Sequence, residues 1–308
     1  MNQDSLVQSL IKITNKNNVL KNENMSRHTT FKVGGEADIF VTPDTKEEAA
    51  EIVRLLLAAN YPYMVIGNGS NLLVSDKGYR GCIICMADGM NEITVSGNNL
   101  ACGAGVLLSK LCSVALENSL EGLVFASGIP GSVGGAVYMN AGAYGGEIKD
   151  VIKQVELFDA KKGEFVILTC DEMNFGYRTS IVRDSSYIVT SAEFVLRKGN
   201  AEVIRNEMLK LSKKRRDKQP LEYPSAGSTF KRPEGYFAGK LIEDAGLRGY
   251  GIGGASVSEK HCGFVINKGN ATCEDIIALI RYIRQQVNDK FGVVLEPEVC
   301  ILGEGVSL

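Results

Sequence analysis

Ser127-Gly-Ile-Pro-Gly-Ser-Val-Gly-Gly-Ala-Val-Tyr-Met-Asn-Ala-Gly-Ala-Tyr-Gly-Gly-Glu147 is the segment that most narrows the fold. It is too long for one turn, and it interleaves glycines and small residues with Asn140. Glycine tolerates positive φ and lets backbone N–H groups come close to a ligand, which suits main-chain contacts to a large, flat anion. A second glycine-dense piece, Ile66-Gly-Asn-Gly-Ser-Asn-Leu-Leu-Val-Ser-Asp76, lies about sixty residues upstream. Neither piece is a strand–turn–helix G-x-G-x-x-G nor a G-x-x-x-x-G-K-[ST] loop. The expectation is a dinucleotide wrapped by two separate loops instead of one helix N-terminus.

Around these loops the chain reads as an ordinary globular protein. Its 308 residues are 44% hydrophobic and 23% charged, which favours about two domains with a substantial core. A formal charge of −2 gives no electrostatic reason to expect nucleic acid or an anionic membrane as partner. The one basic run, Lys213-Lys-Arg-Arg216 with Lys218, reads as a solvated helix end, with a role in anion binding left open. No apolar run approaches the roughly 18 residues that span a bilayer, and Met1–Gln8 has no features of a leader. Eight cysteines without a leader point to reduced thiols in a cytoplasm. Cys82-Ile-Ile-Cys85 reads as buried strand, and with only His28 and His261 as histidines no metal is expected.

The periodicities describe an α+β chain. A strand over Asp38–Thr42 is followed by a capping box at Thr45-Lys-Glu-Glu48 and a helical stripe of Ala49, Ile52, Val53 and Leu56. Tyr63–Ile66 is then a strand that feeds the first glycine loop, and Leu107–Asn118 is a helix. Strands are expected at Val151–Phe158, Phe165–Leu168 and Tyr187–Leu196. Lys198-Gly-Asn200 and the polar helix after it suggest a domain boundary. Further on, Phe237–Asp244 and Thr272–Lys290 read as helices and Gly263–Asn267 and Val293–Val299 as strands. The helix at Thr272 has the strongest signal: a capping box with Asp275, a stripe of Ile276, Leu279, Ile280, Ile283 and Val287, and Gly292 just beyond its end. Gly249-Tyr-Gly-Ile-Gly-Gly254 fits G-x-G-x-x-G only formally, since it follows a helix end and precedes a strand.

Three short segments carry chemistry. Phe175-Gly-Tyr-Arg-Thr-Ser180 presents a guanidinium fork suited to a carboxylate. Pro224-Ser-Ala-Gly-Ser-Thr-Phe-Lys231 sets Ser228 in a small-residue turn near Lys231, and Leu295-Glu-Pro-Glu298 places two carboxylates astride a proline. Each alone also fits a surface arginine, a capping serine or solvated glutamates. Together and in this order, with Thr29-Thr-Phe-Lys-Val-Gly-Gly35 and the two glycine stretches, they make the chain resemble the UDP-N-acetylenolpyruvoylglucosamine reductase family over nearly its whole length. No tyrosine-bearing insertion follows Tyr177–Ser180, so the resemblance is to the shorter class of that family. Cys300 stands where the family often has a basic residue, a difference expected to affect packing.

The resemblance implies a two-lobed, PCMH-type FAD-binding domain over residues 1–200 (lobes about 20–85 and 86–200). A smaller α+β substrate-binding domain would follow over 201–308, its C-terminal strand returning to the active site. It implies an FAD-dependent oxidoreductase that uses NADPH to reduce the enolpyruvyl group of a UDP-sugar in cell-wall precursor synthesis, as a cytoplasmic monomer. Arg178, Ser228 and Glu298 are the implied catalytic residues, with Ser228 as proton donor. Gly67, Asn68, Gly69, Ser70, Asn71, Leu72, Ser127, Gly128, Pro130, Gly131, Gly134, Gly135, Asn140, Ala141 and Gly142 fall in the implied FAD-binding stretches. Tyr177 and Lys231, beside catalytic positions, are expected to line the substrate site. Another flavoenzyme of the same fold, such as an oxidase, and a non-catalytic nucleotide-binding protein stand as alternatives. Ser70 occupies a position where relatives with covalent flavin carry histidine, so the FAD is expected to be non-covalent. Acid precipitation of the FAD-loaded protein should therefore leave the yellow colour in the supernatant; a yellow pellet would contradict this.

Overall fold

Two packing units emerge from a computed structural model that describes residues 2–307. The first comprises the chain up to Lys21, Ile39–Asn68 and Gly81–Lys214; the second comprises Asn22–Asp38, Gly69–Arg80 and the chain from Arg215 onward. The units thus alternate along the sequence, whereas the expected domains were consecutive spans meeting at residue 200.

In the first unit the order of a five-stranded antiparallel sheet is Glu164–Thr169, Ile152–Asp159, Tyr187–Val195, Asn99–Gly103, Ile93–Ser96. Its central strand alternates as a half-buried strand must: Ile188, Thr190, Ala192 and Phe194 are buried along one face. Phe158 and Phe194 are among the largest side chains sealed completely into this unit's core. The Asp38–Thr42 prediction corresponds to a strand over Glu36–Val41, and Tyr63–Ile66 pairs in parallel with Tyr79–Cys85, with Tyr63 opposite Cys82. Between them the helix Lys46–Ala58 keeps half of the expected capping box: Thr45 Oγ1 accepts from the Glu48 amide at 3.1 Å, while the Glu48 carboxylate accepts from the Asp44 amide (2.9 Å), one residue earlier than the box requires. The polar helix runs over Ala201–Lys218, so the basic residues Lys213–Arg216 and Lys218 form its last turns. There the positive charges complement the C-terminal end of the helix dipole.

The second unit is built round the helix Cys273–Phe291. Its expected stripe of Ile276, Leu279, Ile280, Ile283 and Val287 is wholly buried against Leu241, Ile242, Val257 and Val265, each side chain contributing about 1.5–3 kcal/mol on burial. Both signals at its ends are realised. Thr272 and Asp275 form the reciprocal capping box, and Gly292 adopts φ +67 at the C-cap. Asp76 adds a second cap from a distant segment, accepting from the amides of Cys273 (2.9 Å) and Glu274 (3.2 Å). The Gly249–Gly254 match lies in a hairpin of Gly251–Ile252 with Ala255–Val257, a turn and not a nucleotide loop.

Two expectations are corrected. No strand forms over Val293–Val299; the last strand is Cys300–Leu302, paired in parallel with Leu72–Val74. Pro297 has no amide to give a ladder and makes only an isolated bridge to Phe230, so regular pairing starts beyond it. The Ser127–Glu147 stretch is not continuous loop: Val133–Met139 is a short helix, and Gly142–Ala143 and Gly146–Glu147 form a tiny hairpin. Tyr144 and Gly145 turn that hairpin with φ of 54° and 91°, the positive pair that a tight two-residue turn needs.

Among the described residues no helix is long and apolar enough to cross a membrane, and no group of three or more His, Cys, Asp or Glu could hold a metal ion. None of the eight cysteines is in a disulfide. Burial pushes the thiols of Cys85, Cys102, Cys112 and Cys273 up to about 12, and that of Cys82 further in the same direction. Cys262 is buried too, whereas Cys170 and Cys300 are partly exposed. A thiol reagent at pH 8 should therefore label at most Cys170 and Cys300 in the native protein and all eight after unfolding. Rapid native labelling of the core cysteines would refute this packing.

Candidate active site

The two glycine stretches meet within the first unit. Asn68 Nδ2 donates to Pro130 O at 2.6 Å. A Cβ at Gly67 would lie 2.2 Å from Ser132 Oγ and 3.8 Å from the Gly135 amide nitrogen, so this main-chain approach requires glycine or a shift of the serine. The segment opposite is pinned from behind. Gly131 O accepts from Leu108, and the Val133 and Gly134 amides donate to Val106 O and Ala104 O. Ser132 precedes the short helix but makes no side-chain cap, and its buried hydroxyl has no hydrogen-bond partner. An unpaired buried hydroxyl costs about 1–3 kcal/mol, so this cradle suits a ligand with polar oxygens and fits the phosphate-bearing FAD. Ser132 was missed by the sequence reading, because only the packing shows that its hydroxyl is left over.

Beyond Asn68 the first stretch enters the second unit. Gly69 has φ +59, and a Cβ there would sit 1.9 Å from His28 O, so no other residue fits without moving backbone. Its carbonyl accepts from the Thr30 amide, and Thr30 Oγ1 is a second buried hydroxyl without a partner. Asn71 and Leu72 are tied to the C-terminal strand. Asn71 O accepts from the Cys300 amide at 2.9 Å, Asn71 Nδ2 donates to Glu298 O at 3.0 Å, and Leu72 pairs with Cys300.

Arg178 lies in the first unit, in a tight turn closed by the Gly176–Thr179 bridge. It is left-handed, with φ +56, a conformation that costs an L-residue about 1–2 kcal/mol. The turn is fastened to the second glycine stretch at three points: Asn140 Nδ2 to Gly176 O (2.9 Å), Arg178 Nη2 to Gly142 O (3.2 Å) and Ser180 Oγ to Tyr138 O (2.9 Å). The guanidinium stands 5.0 Å from the ring centroid of Tyr177, which is half exposed. Asn140, expected among the cofactor-binding residues, is fully buried, and its side chain also bonds Glu147 and the Lys149 amide. Ser127 likewise turns its hydroxyl inward, to Val124 O.

Ser228, Lys231 and Glu298 come together in the second unit. The Thr229 amide donates to Gly263 O, Thr229 Oγ1 accepts from the Val265 amide, and Thr229 O accepts from the Glu298 amide at 2.8 Å. The Lys231 amide donates to Glu296 O, while Lys231 Nζ pairs with the Glu296 carboxylate. Thr229 and Phe230 are buried, so the flanking Ser228 is held by its neighbours while its own side chain faces solvent. Such a rigid backbone with an exposed hydroxyl suits proton transfer better than a core role.

The FAD binding domain family matches residues 37–169, and the C-terminal domain of UDP-N-acetylenolpyruvoylglucosamine reductase matches residues 219–302. The chain is 50% identical to the UDP-N-acetylenolpyruvoylglucosamine reductase of Caldanaerobacter subterraneus over 97% of its own length and 98% of the relative. It is 52% identical to that of Lachnoclostridium phytofermentans, over 98% of both chains. The crystal structure of UDP-N-acetylenolpyruvylglucosamine reductase from Thermus caldophilus superposes with a TM-score of 0.79 at 36% identity, covering 92% of this chain and 98% of that one. Identity at this level and coverage favours neither another flavoenzyme of the same fold nor a non-catalytic nucleotide-binding protein. With its FAD-binding and C-terminal domains both matched, this α+β chain belongs to the UDP-N-acetylenolpyruvoylglucosamine reductase family of FAD-dependent oxidoreductases.

Proposed function

We propose that the chain carries out the NADPH-dependent reduction of UDP-N-acetylglucosamine enolpyruvate to UDP-N-acetylmuramate, in the cytoplasm and as a monomer, as a step of peptidoglycan precursor synthesis that serves cell shape and division. The observation that carries this reading is the near-full-length identity with reductases of that name, in a chain that has Arg178, Ser228 and Glu298 at the positions the resemblance implies. Most of residues 1–200 serve the flavin and 201–308 the sugar nucleotide, with Arg178 and Tyr177 of the first span also turned to the sugar nucleotide. When bound, FAD supplies the hydride carrier between NADPH and the enolpyruvyl double bond. Gly67–Leu72 and Ser127–Gly142 would hold it, with the unpaired Ser132 hydroxyl as a further polar contact.

Hydride addition at C3 of the enolpyruvyl group leaves negative charge at C2 and on the adjoining carboxylate. Arg178 pairs with that carboxylate through a charge-assisted, planar contact, strongest as the charge develops. Glu298 acts in its protonated form, donating a hydrogen bond, because a second anion beside the carboxylate would oppose the reaction. Ser228 gives its hydroxyl proton to C2, which completes addition of hydride and proton across the double bond. A serine hydroxyl is a weak acid, yet the carbanionic intermediate is a strong base, so the transfer is feasible once bound substrate covers the exposed hydroxyl and displaces water from it. Tyr177 and Lys231 line the substrate, Lys231 with its ammonium steadied by Glu296.

Anaerobic NADPH should bleach the flavin spectrum, and the enolpyruvyl sugar nucleotide should restore it. Ser228→Ala should keep reduction by NADPH near the wild-type rate while slowing reoxidation by substrate by about 10²–10⁴-fold. An equal loss in both half-reactions would sink the proton-donor role.

A further inference from the structure

Three asparagines of the glycine stretches turn their side-chain amides onto protein carbonyls: Asn68 onto Pro130, Asn71 onto Glu298 and Asn140 onto Gly176. Two of those carbonyls belong to, or lie within two residues of, the residues assigned to the substrate carboxylate. Asn140 is the more completely engaged. Its Nδ2 donates to Glu147 Oε2 (2.8 Å) and to Gly176 O (2.9 Å), and its Oδ1 accepts from the Lys149 amide (3.0 Å). The Glu147 carboxylate can only accept, so it fixes which end of the amide is the donor. Glu147 is itself held, its amide donating to Asp150 and its carboxylate paired with Lys149. In return, Arg178 Nη2 reaches Gly142 O, two residues beyond Asn140. Asn140 and Arg178 are both left-handed, with φ of 44° and 56°, and each side chain bonds the main chain of the other's turn. A buried asparagine serving only as a helix C-cap would need no bond to a separate turn.

We infer that Asn140 is a positioning residue for Arg178, oriented by Glu147, and that Asn71 serves Glu298 in the same way, neither asparagine side chain being a cofactor contact. This rests on the reading of Arg178 and Glu298 as groups that engage the substrate carboxylate. The side-chain latch holds a strained arginine turn in the one arrangement from which the guanidinium can present its fork. Misplacement of such a group by about 1 Å costs on the order of 10² in rate.

The test uses FAD-loaded, full-length enzyme. In Asn140→Ala, stopped-flow reduction by NADPH should stay near wild type, reoxidation by the enolpyruvyl sugar nucleotide should slow by about 10–100-fold, and KM for that substrate should rise. Trypsin should nick the chain after Arg178 faster than in wild type. Glu147→Gln retains an acceptor oxygen for the amide and should keep most of the wild-type reoxidation rate; a loss as large as that of Asn140→Ala would remove the orienting role given to Glu147 through that bond. Asn71→Ala should show the same kinetic split; wild-type reoxidation there would remove Asn71 from the inference. If Asn140→Ala weakens FAD binding while the reloaded enzyme reoxidises normally, the side chain is a cofactor contact and the inference fails. It fails equally if both half-reactions drop together, or if nicking and reoxidation are unchanged. Arg178→Ala separates the two levels. Normal reoxidation in that variant, with faster nicking in Asn140→Ala, would overturn the role of Arg178 and leave the latch standing.

Discussion

The close approach of the Gly67 main chain to Ser132 is the constraint on which the flavin-binding part of the molecule depends. A side chain at 67 would meet the serine oxygen at 2.2 Å, and the Asn68 amide closes the same gap by bonding Pro130. Because the far side of the cradle is tied by Leu108, Val106 and Ala104, the loop carrying Ser132 has little freedom to retreat. The result is a preorganised wall of backbone with one buried hydroxyl unpaired. That is an unfavourable arrangement for a protein alone and a favourable one for a protein that receives a polar ligand.

Glycines and asparagines of the same stretches divide the work. The glycines clear space for backbone, as at Gly69, where His28 O occupies the place of a side chain. The asparagines turn inward and fasten one segment to another, Asn71 to Glu298 and Asn140 to Gly176. The glycine-rich loops and the turns bearing Arg178 and Glu298 are thereby built from shared hydrogen bonds in each unit. Ser228 follows the same economy: the buried Thr229 takes the structural bonds and leaves its neighbour exposed.

Much of the fold was legible where local signals agree with burial. The helix Cys273–Phe291 carries its cap, stripe and terminal glycine in the sequence, and all three are realised. The Tyr63–Ile66 strand and the helix after Thr45 follow the same logic. The reading failed where pairing partners decide. Val293–Val299 has strand-like residues, yet Pro297 gives it no donor and the ladder forms only at Cys300–Leu302, against Leu72–Val74. The helix Val133–Met139 was hidden because its glycines are poor helix formers, and its first amides bond to Val106 and Ala104. The interleaving of the two units was equally invisible, since segments such as 22–38 and 69–80 are assigned by long-range packing.

By itself the sequence determined the chemical vocabulary of the protein. It showed glycine stretches that admit close backbone approach, an arginine and a serine in small-residue turns, a glutamate beside proline, and a small net charge of −2. These follow from residue type and short-range spacing, which a linear reading captures. Only the tertiary structure decided which polar groups are satisfied within the protein and which are left for a ligand. The amides of Asn71 and Asn140 proved to be fastened to protein carbonyls, while the hydroxyls of Ser132 and Thr30 were left unpaired. Hydrogen-bond satisfaction depends on groups distant in sequence, each donor and acceptor having few directions to offer, so it is settled only when the chain has packed.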